Sequence, residues 1–233
     1  MTEITQEGWK NKALSMLLAQ LTSYVLFIAA TVIPSPGTVP IPLIIAALTL
    51  AAFVVFWPFR GSILDRIVTL VFGAISLIFV IVPFPTGKVP PDQTAADGSV
   101  LPWYSWALAM GLLLVVLVVF SFGRQMAREK REHLIRALSH AVTSGVAALA
   151  VAGWCFLPDL GAMLAKGTVA GTVALIILIV LGLALAVAST LWVRDADPDP
   201  DIRYPWIGTG LLPVMLMGVT IAATALVLGR IIG

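Results

Sequence analysis

The chain has 233 residues, of which 60% are hydrophobic and 11% are charged, and its mean hydropathy is +1.03. A water-soluble domain carries about 25% charged residues, so this composition excludes an ordinary soluble domain and predicts a protein that resides in the bilayer. The formal net charge of +2 gives no indication of nucleic-acid binding, and a single cysteine, Cys155, excludes a disulfide within the chain.

Long charge-free windows predict an all-α, polytopic transmembrane helical bundle of about seven spans. Pro34 and Pro36 divide the first uncharged stretch into two helices. The polar segments between the windows are shorter than about 20 residues, too short to fold alone, so residues 1–233 are predicted to form a single membrane domain. The predicted spans are residues 13–33, 41–58, 65–84, 103–122, 137–157, 168–193 and 206–230.

The distribution of basic residues predicts a cytoplasmic N-terminus and a C-terminus outside. In this orientation, eleven of the fourteen Lys and Arg residues lie in cytoplasmic segments, and only Lys88, Lys166 and Arg230 lie outside. This asymmetry is what the positive-inside rule describes. The predicted location is the cytoplasmic membrane.

The densest run of charge, residues 123–136, follows the fourth predicted span. It predicts either a solvated cytoplasmic loop near anionic headgroups or a docking surface for a cytoplasmic partner, such as the ATPase of a transport system. The candidate docking residues are Arg124, Arg128, Lys130, Arg131 and Arg136.

His140 lies about one turn into the fifth predicted span, seven residues after His133. Seven helical residues cover about 10 Å on nearly one face, so the two histidines cannot ligate one haem iron from opposite sides. His140 is predicted to be either an interfacial histidine bonded at the helix entry or a substrate contact. No cofactor and no metal site is predicted.

The polar segment before the last span carries alternating aspartates, Asp195, Asp197, Asp199 and Asp201. A calcium-binding loop of the EF-hand type requires glycine where this segment has Pro200. The segment is therefore predicted to be a stiff, solvated connector, with weak divalent-cation binding as the alternative.

The seventh predicted span contains helix-weakening and small residues. Pro213 cannot bond to the carbonyl of Thr209, so Thr209, Gly210 and Pro213 are predicted either to line a substrate path or to fit a neighbouring helix. Gly218 and Ala222 are small residues at four-residue spacing, a pattern typical of close helix contact.

The central two turns of every predicted span lack Asp, Glu, Lys and Arg. Ionisable groups at membrane depth usually mark ion or proton pathways, so their absence disfavours an ion-coupled carrier. No set of nucleophile, base and orienting residue is recognisable either, and no catalytic residue is predicted.

Two functions fit these features best, with a lipid-modifying enzyme at the aspartate segment as a weaker third. The first is a non-catalytic scaffold, assembly or accessory subunit of a larger membrane complex. The second is a transporter or permease subunit for a neutral or lipidic substrate, with a separate ATPase. The expected partners are the lipid bilayer and either other membrane subunits or further copies of this chain.

Overall fold

In a computed structural model of the chain, the structure describes residues 2–32, 40–60, 62–84, 89, 94, 98, 100–127, 134–195, 198 and 200–232. Within these residues the fold is all-helical apart from one isolated bridge between Thr94 and Val100. The helices are α1 (Thr2–Ala30), α2 (Ile41–Val55), α3 (Ile63–Ile81), α4 (Pro102–Met126), α5 (Leu134–Ala150), α6 (Leu157–Leu164), α7 (Val169–Asp195) and α8 (Pro205–Ile232), with a 3₁₀ segment at Val151–Phe156 between α5 and α6.

Six of the described helical stretches are long and apolar enough to cross a bilayer, which supports a multi-pass membrane protein. The shorter helix α2 has 15 residues and is also apolar, but at 1.5 Å per residue it measures only about 22 Å. The six stretches are Lys10–Ala30, Ile63–Ile81, Pro102–Met126, Ile135–Leu164, Val169–Trp192 and Pro205–Ile231.

Prolines mark several helix starts because the first turn leaves backbone N–H groups unbonded in any case. Pro102 and Pro205 begin α4 and α8, and Pro42 lies in the first turn of α2. Pro158 lies in the first turn of α6, directly after the 3₁₀ segment. The fifth span was predicted to end at residue 157, but its helical path continues to Leu164 because Pro158 occupies a first-turn position.

The helical stretch Ile135–Leu164, which we call the fifth span, and α8 form the interior of the bundle. In an 18-residue window of each, 67% and 61% of the residues are buried, whereas α7 lies at the periphery with 11% of its window buried. The two interior elements touch backbone to backbone. A Cβ atom at Gly153 would overlap the carbonyl of Gly218, and one at Gly218 would overlap the carbonyl of Ala150. The prediction that Gly218 lies at a close helix contact is confirmed.

An indole hydrogen bond joins the same two elements. Trp154, in the 3₁₀ segment, donates from Nε1 to the carbonyl of Val214 over 2.7 Å. Its ring also stacks on Phe27 of α1, with 4.4 Å between the ring centroids. Trp154 thus connects the fifth span, α8 and α1 at one level of the bundle.

Several helix ends meet at one end of the bundle, which we call the basic end. Lys12 lies over the ring of Trp206, 5.4 Å from its centroid, and Arg124 pairs with Asp65. The first contact joins α1 to the start of α8, and the second joins the end of α4 to the start of α3. A Cβ atom at Gly208 would overlap the carbonyl of Phe56, so the connection between α2 and α3 also lies against the start of α8.

Candidate functional site

An apolar groove of about 700 Å³ lies between α1 and α7, and residues of the 3₁₀ segment, α6 and α8 also line it. Ligand sites commonly have volumes of about 300–1,000 Å³. None of the lining residues is charged. The groove therefore has the size and wall chemistry of a site for a hydrophobic molecule.

The groove exists because α7 packs against α8 but makes little contact with α1. A Cβ atom at Gly182 would lie 3.8 Å from Met217 Cε, which is ordinary van der Waals contact between the two helices. Elsewhere α7 presents large apolar side chains outward, including Ile177, Val180 and Val187, which are 58%, 60% and 65% exposed. One side of the groove is accordingly formed by a helix that is mostly uncovered by the rest of the chain.

Polar side chains meet the groove at one level, where Gln20 and Tyr24 of α1 contribute to its wall. Gln20 is only 3% exposed, and Ser189 Oγ on α7 lies 3.3 Å from its Oε1. The Tyr24 hydroxyl and the Gln20 side chain are close enough for a weak hydrogen bond to each other. Gln20 Nε2 and Tyr24 Oη nevertheless have no hydrogen bond of normal geometry in the described part of the chain. Buried donors without partners are costly in a bilayer.

Aromatic rings flank these polar groups. Tyr24 and Trp154 both line the groove, with 5.8 Å between their ring centroids. A flat ring system could pack against them, so this level of the groove combines hydrogen-bond donors with aromatic walls.

A second cluster lies at the basic end, where Asp65 joins α3 to α4. Asp65 accepts hydrogen bonds from the Ser62 backbone N–H at 2.8 Å and from Ser62 Oγ at 2.9 Å, which caps α3. The Arg124 guanidinium pairs with the same carboxylate and donates to Ser62 Oγ at 2.7 Å. With side chains 19% and 12% exposed, Arg124 and Asp65 form a largely buried ion pair that fastens two helix ends together.

A smaller cavity of about 90 Å³ adjoins this ion pair, with Trp57, Arg60 and His140 among its lining residues. His140 stacks on Phe59, with 4.6 Å between the ring centroids. The cavity has room for a few water molecules, since each occupies about 30 Å³ in the liquid.

Hydroxyl groups also connect α3, α4 and the fifth span inside the bundle. Thr69 donates to Ser144 at 3.1 Å, Ser76 donates to the Leu149 carbonyl at 2.8 Å, and Trp106 donates to Ser76 at 3.1 Å. Because each of these donors has an acceptor, the three bonds are explained as structural links between helices.

The predicted docking residues have different environments. Arg124 faces the bundle and pairs with Asp65, whereas Arg136 is exposed near the start of α5. Arg128, Lys130 and Arg131 lie outside the described residues, as do Asp197 and Asp199 of the aspartate segment. A shared docking surface for the five basic residues remains a prediction.

None of the four residues predicted for a substrate path lines the apolar groove. His140 lines the cavity at the basic end. Thr209 is 3% exposed with its hydroxyl 3.4 Å from the Pro205 carbonyl, and a Cβ atom at Gly210 would lie 2.6 Å from the carbonyl of Met16. Pro213 is buried in α8, which continues as an α-helix through it. The α8 residues that line the groove are instead Met217 and Ile221.

Gln20, Ser62, Asp65 and Ser189 were not predicted as candidate site residues, although the fold brings them into polar contacts. Gln20 is the only side-chain amide in its charge-free window, which is a usable signal. The Ser62 and Asp65 spacing is that of a helix-capping box, a second usable signal. Nothing in the sequence, however, indicates that Ser189 meets Gln20 across 169 positions.

No protein-family model matches this chain, and no curated protein and no solved structure matches it either. The groove and its polar groups are therefore the features that bear on function.

Proposed function

We propose that this chain is a non-catalytic, multi-pass protein of the cytoplasmic membrane that binds a neutral lipidic ligand in the groove between α1 and α7, as the membrane component of a transport system. The observation that carries the proposal is the groove itself, with a volume of about 700 Å³ and no charged residue in its wall. A charged substrate would find no counter-charge there, whereas a lipid chain would replace contacts with surrounding lipid by contacts with protein.

The proposed topology has seven spans in one membrane domain, with the N-terminus in the cytoplasm and the C-terminus outside. It counts α2 as a short span beside the six longer stretches. Support comes from the basic end, where Lys12, Arg60 and Arg124 lie, because positive charge concentrates on the cytoplasmic side.

A second candidate is an accessory subunit that docks a partner's helix on α7. The observation in its favour is that only Gly171 and Ser189 are buried in the Val169–Trp192 stretch, and that the large exposed side chains of this stretch are apolar.

One pair of variants separates the two candidates. Gly182→Phe projects a ring into the groove, since Gly182 lines it. Val180→Phe adds a ring of the same size to the outer face of α7, where Val180 is 60% exposed. Each protein is extracted with its surrounding bilayer in polymer-bounded discs, and bound lipids and proteins are identified by mass spectrometry.

Lipid binding in the groove predicts that the wild type and Val180→Phe retain a stoichiometric lipid that Gly182→Phe loses. Equal lipid content in all three proteins would remove the groove proposal. Loss of a co-purifying subunit in Val180→Phe, with the subunit retained in Gly182→Phe, would establish the accessory role instead.

A further inference from the structure

We infer that the ligand of the groove is a prenyl quinone, held at a ring carbonyl by Gln20 and Tyr24. This inference rests on the proposed function and specifies its substrate class. It starts from two buried donors, Gln20 Nε2 and Tyr24 Oη, which interact with each other outside normal hydrogen-bond geometry and have no other partner in the described structure. Both residues line the groove. An acceptor atom on a bound molecule would therefore satisfy the hydrogen-bonding capacity of the two donors.

The depth of Gln20 in the membrane favours some classes of lipid over others as its hydrogen-bond partner. It stands midway along the Lys10–Ala30 stretch, about 15 Å from either end at 1.5 Å per residue. The ester carbonyls of a phospholipid lie at the edge of a hydrocarbon core about 30 Å thick, so they do not reach this level. A quinone head is uncharged and enters the core together with its tail.

The absence of charge in the groove wall favours a neutral lipid over an acidic one. A carboxylate or phosphate at this depth would need a cation beside it, and none of the groove-lining residues carries a charge. A carbonyl oxygen needs only a donor, which Gln20 and Tyr24 supply.

The walls beside the two donors favour a ring over an open-chain carbonyl. Tyr24 and Trp154 line the groove with their centroids 5.8 Å apart, and flat conjugated systems pack well on such faces. The remaining wall is formed by aliphatic residues such as Leu21, Leu178 and Ile221, along which a branched prenyl tail would lie.

The test compares two ligands with the same tail, decyl-substituted benzoquinone and decylbenzene, which lacks the carbonyls. Apparent dissociation constants are measured by native mass spectrometry on the full-length protein released from neutral phospholipid discs. We expect the quinone to bind wild type about tenfold more tightly than decylbenzene, as one well-made hydrogen bond allows.

Three variants test which residues cause the preference for the quinone over decylbenzene. Gln20→Leu and Tyr24→Phe, which keeps the ring, should each weaken quinone binding about three- to tenfold and leave decylbenzene binding unchanged. Gly182→Phe should weaken both ligands alike. Thermal unfolding of each variant checks that the fold is retained, and Tyr24→Phe keeps the test decisive if Gln20→Leu fails to fold.

The outcomes separate this inference from the proposed function. Equal binding of the two ligands, unaffected by Tyr24→Phe, would mean that Gln20, Tyr24 and Ser189 satisfy one another; the quinone assignment would then be wrong and the lipid groove would stand. No binding of either ligand above the Gly182→Phe level would overturn both.

Discussion

Gly153 and Gly218 allow close helix contact because neither residue has a Cβ atom. Each glycine faces backbone of the opposing element, where a Cβ atom would overlap a carbonyl group. Backbone cannot move aside as a flexible side chain can, so a methyl group there must separate the fifth span from α8.

We expect Gly153→Ala and Gly218→Ala each to lower the free energy of unfolding by about 1–3 kcal/mol, the usual effect of overpacking a core. Gly111→Ala is the matched control, because a Cβ atom at Gly111 has nothing within 4 Å, and it should be neutral or stabilising by up to about 1 kcal/mol. Thermal unfolding in detergent measures all three. Similar losses at all three glycines would contradict the close-contact argument.

The Asp65 carboxylate has two tasks, since it caps α3 and pairs with Arg124. Asp65→Ala should therefore destabilise the protein more than Arg124→Ala, which leaves the cap in place. Because the two residues interact directly, the double variant should lose about 0.5–3 kcal/mol less than the sum of the single losses. Chemical unfolding of the four proteins gives this coupling, and simple additivity would show that the pair contributes nothing.

Arg124→Lys provides a finer control. The Arg124 guanidinium bonds both Asp65 and Ser62 Oγ, and a lysine ammonium is a point charge that does not reproduce a planar fork. We expect Arg124→Lys to recover only part of the stability lost in Arg124→Ala. Full recovery would mean that charge alone matters at this position.

At the scale of the helices, the 3₁₀ segment connects the fifth span to α8 through the hydrogen bond from Trp154. Trp154→Phe removes the hydrogen bond to the Val214 carbonyl but keeps a ring against Phe27. Trp154→Phe should cost about 1 kcal/mol, and Trp154→Ala about 3–5 kcal/mol because the packing is lost as well. Differential scanning calorimetry compares the two, and equal losses would show that the hydrogen bond dominates over packing.

The helices themselves were largely predictable from hydropathy and proline positions. The predicted spans 103–122 and 168–193 fall within α4 and almost within α7, because charge-free windows of that length must be helical in lipid. The burial of each helix was not predictable in this way. The most hydrophobic stretch, Val169–Trp192, is the least buried, and the least hydrophobic, Ile135–Leu164, is the most buried.

This inversion has a physical cause. Lipid tails are as apolar as leucine, so hydrophobicity does not distinguish the protein interior from the bilayer. Close packing depends on small residues instead, and the fifth span carries Gly145, Ala147, Ala148 and Gly153 at buried positions. The candidate groove was unpredictable for the same reason, since it follows from how loosely α7 meets α1.

For the whole molecule, the proposed topology depends on whether the short helix α2 crosses the membrane. If it does, a reporter inserted at position 37 and one fused after position 233 both lie outside, while an N-terminal reporter is cytoplasmic. Paired fusions to a fluorescent protein active in the cytoplasm and a phosphatase active outside should give this pattern. A cytoplasmic reporter after position 233 would establish an even number of spans and place α2 on one side.

The central position of α8 also bears on how the protein is made. The fifth span and α1 both contact α8 closely, and α8 leaves the ribosome after the other described helices. The earlier helices must therefore enter the bilayer with Gly153 and Trp154 still facing lipid or a chaperone. We therefore expect membrane insertion to precede tertiary folding in this chain. A ribosome stalled before residue 205 would then leave an inserted polypeptide without α8, half of the interior contact.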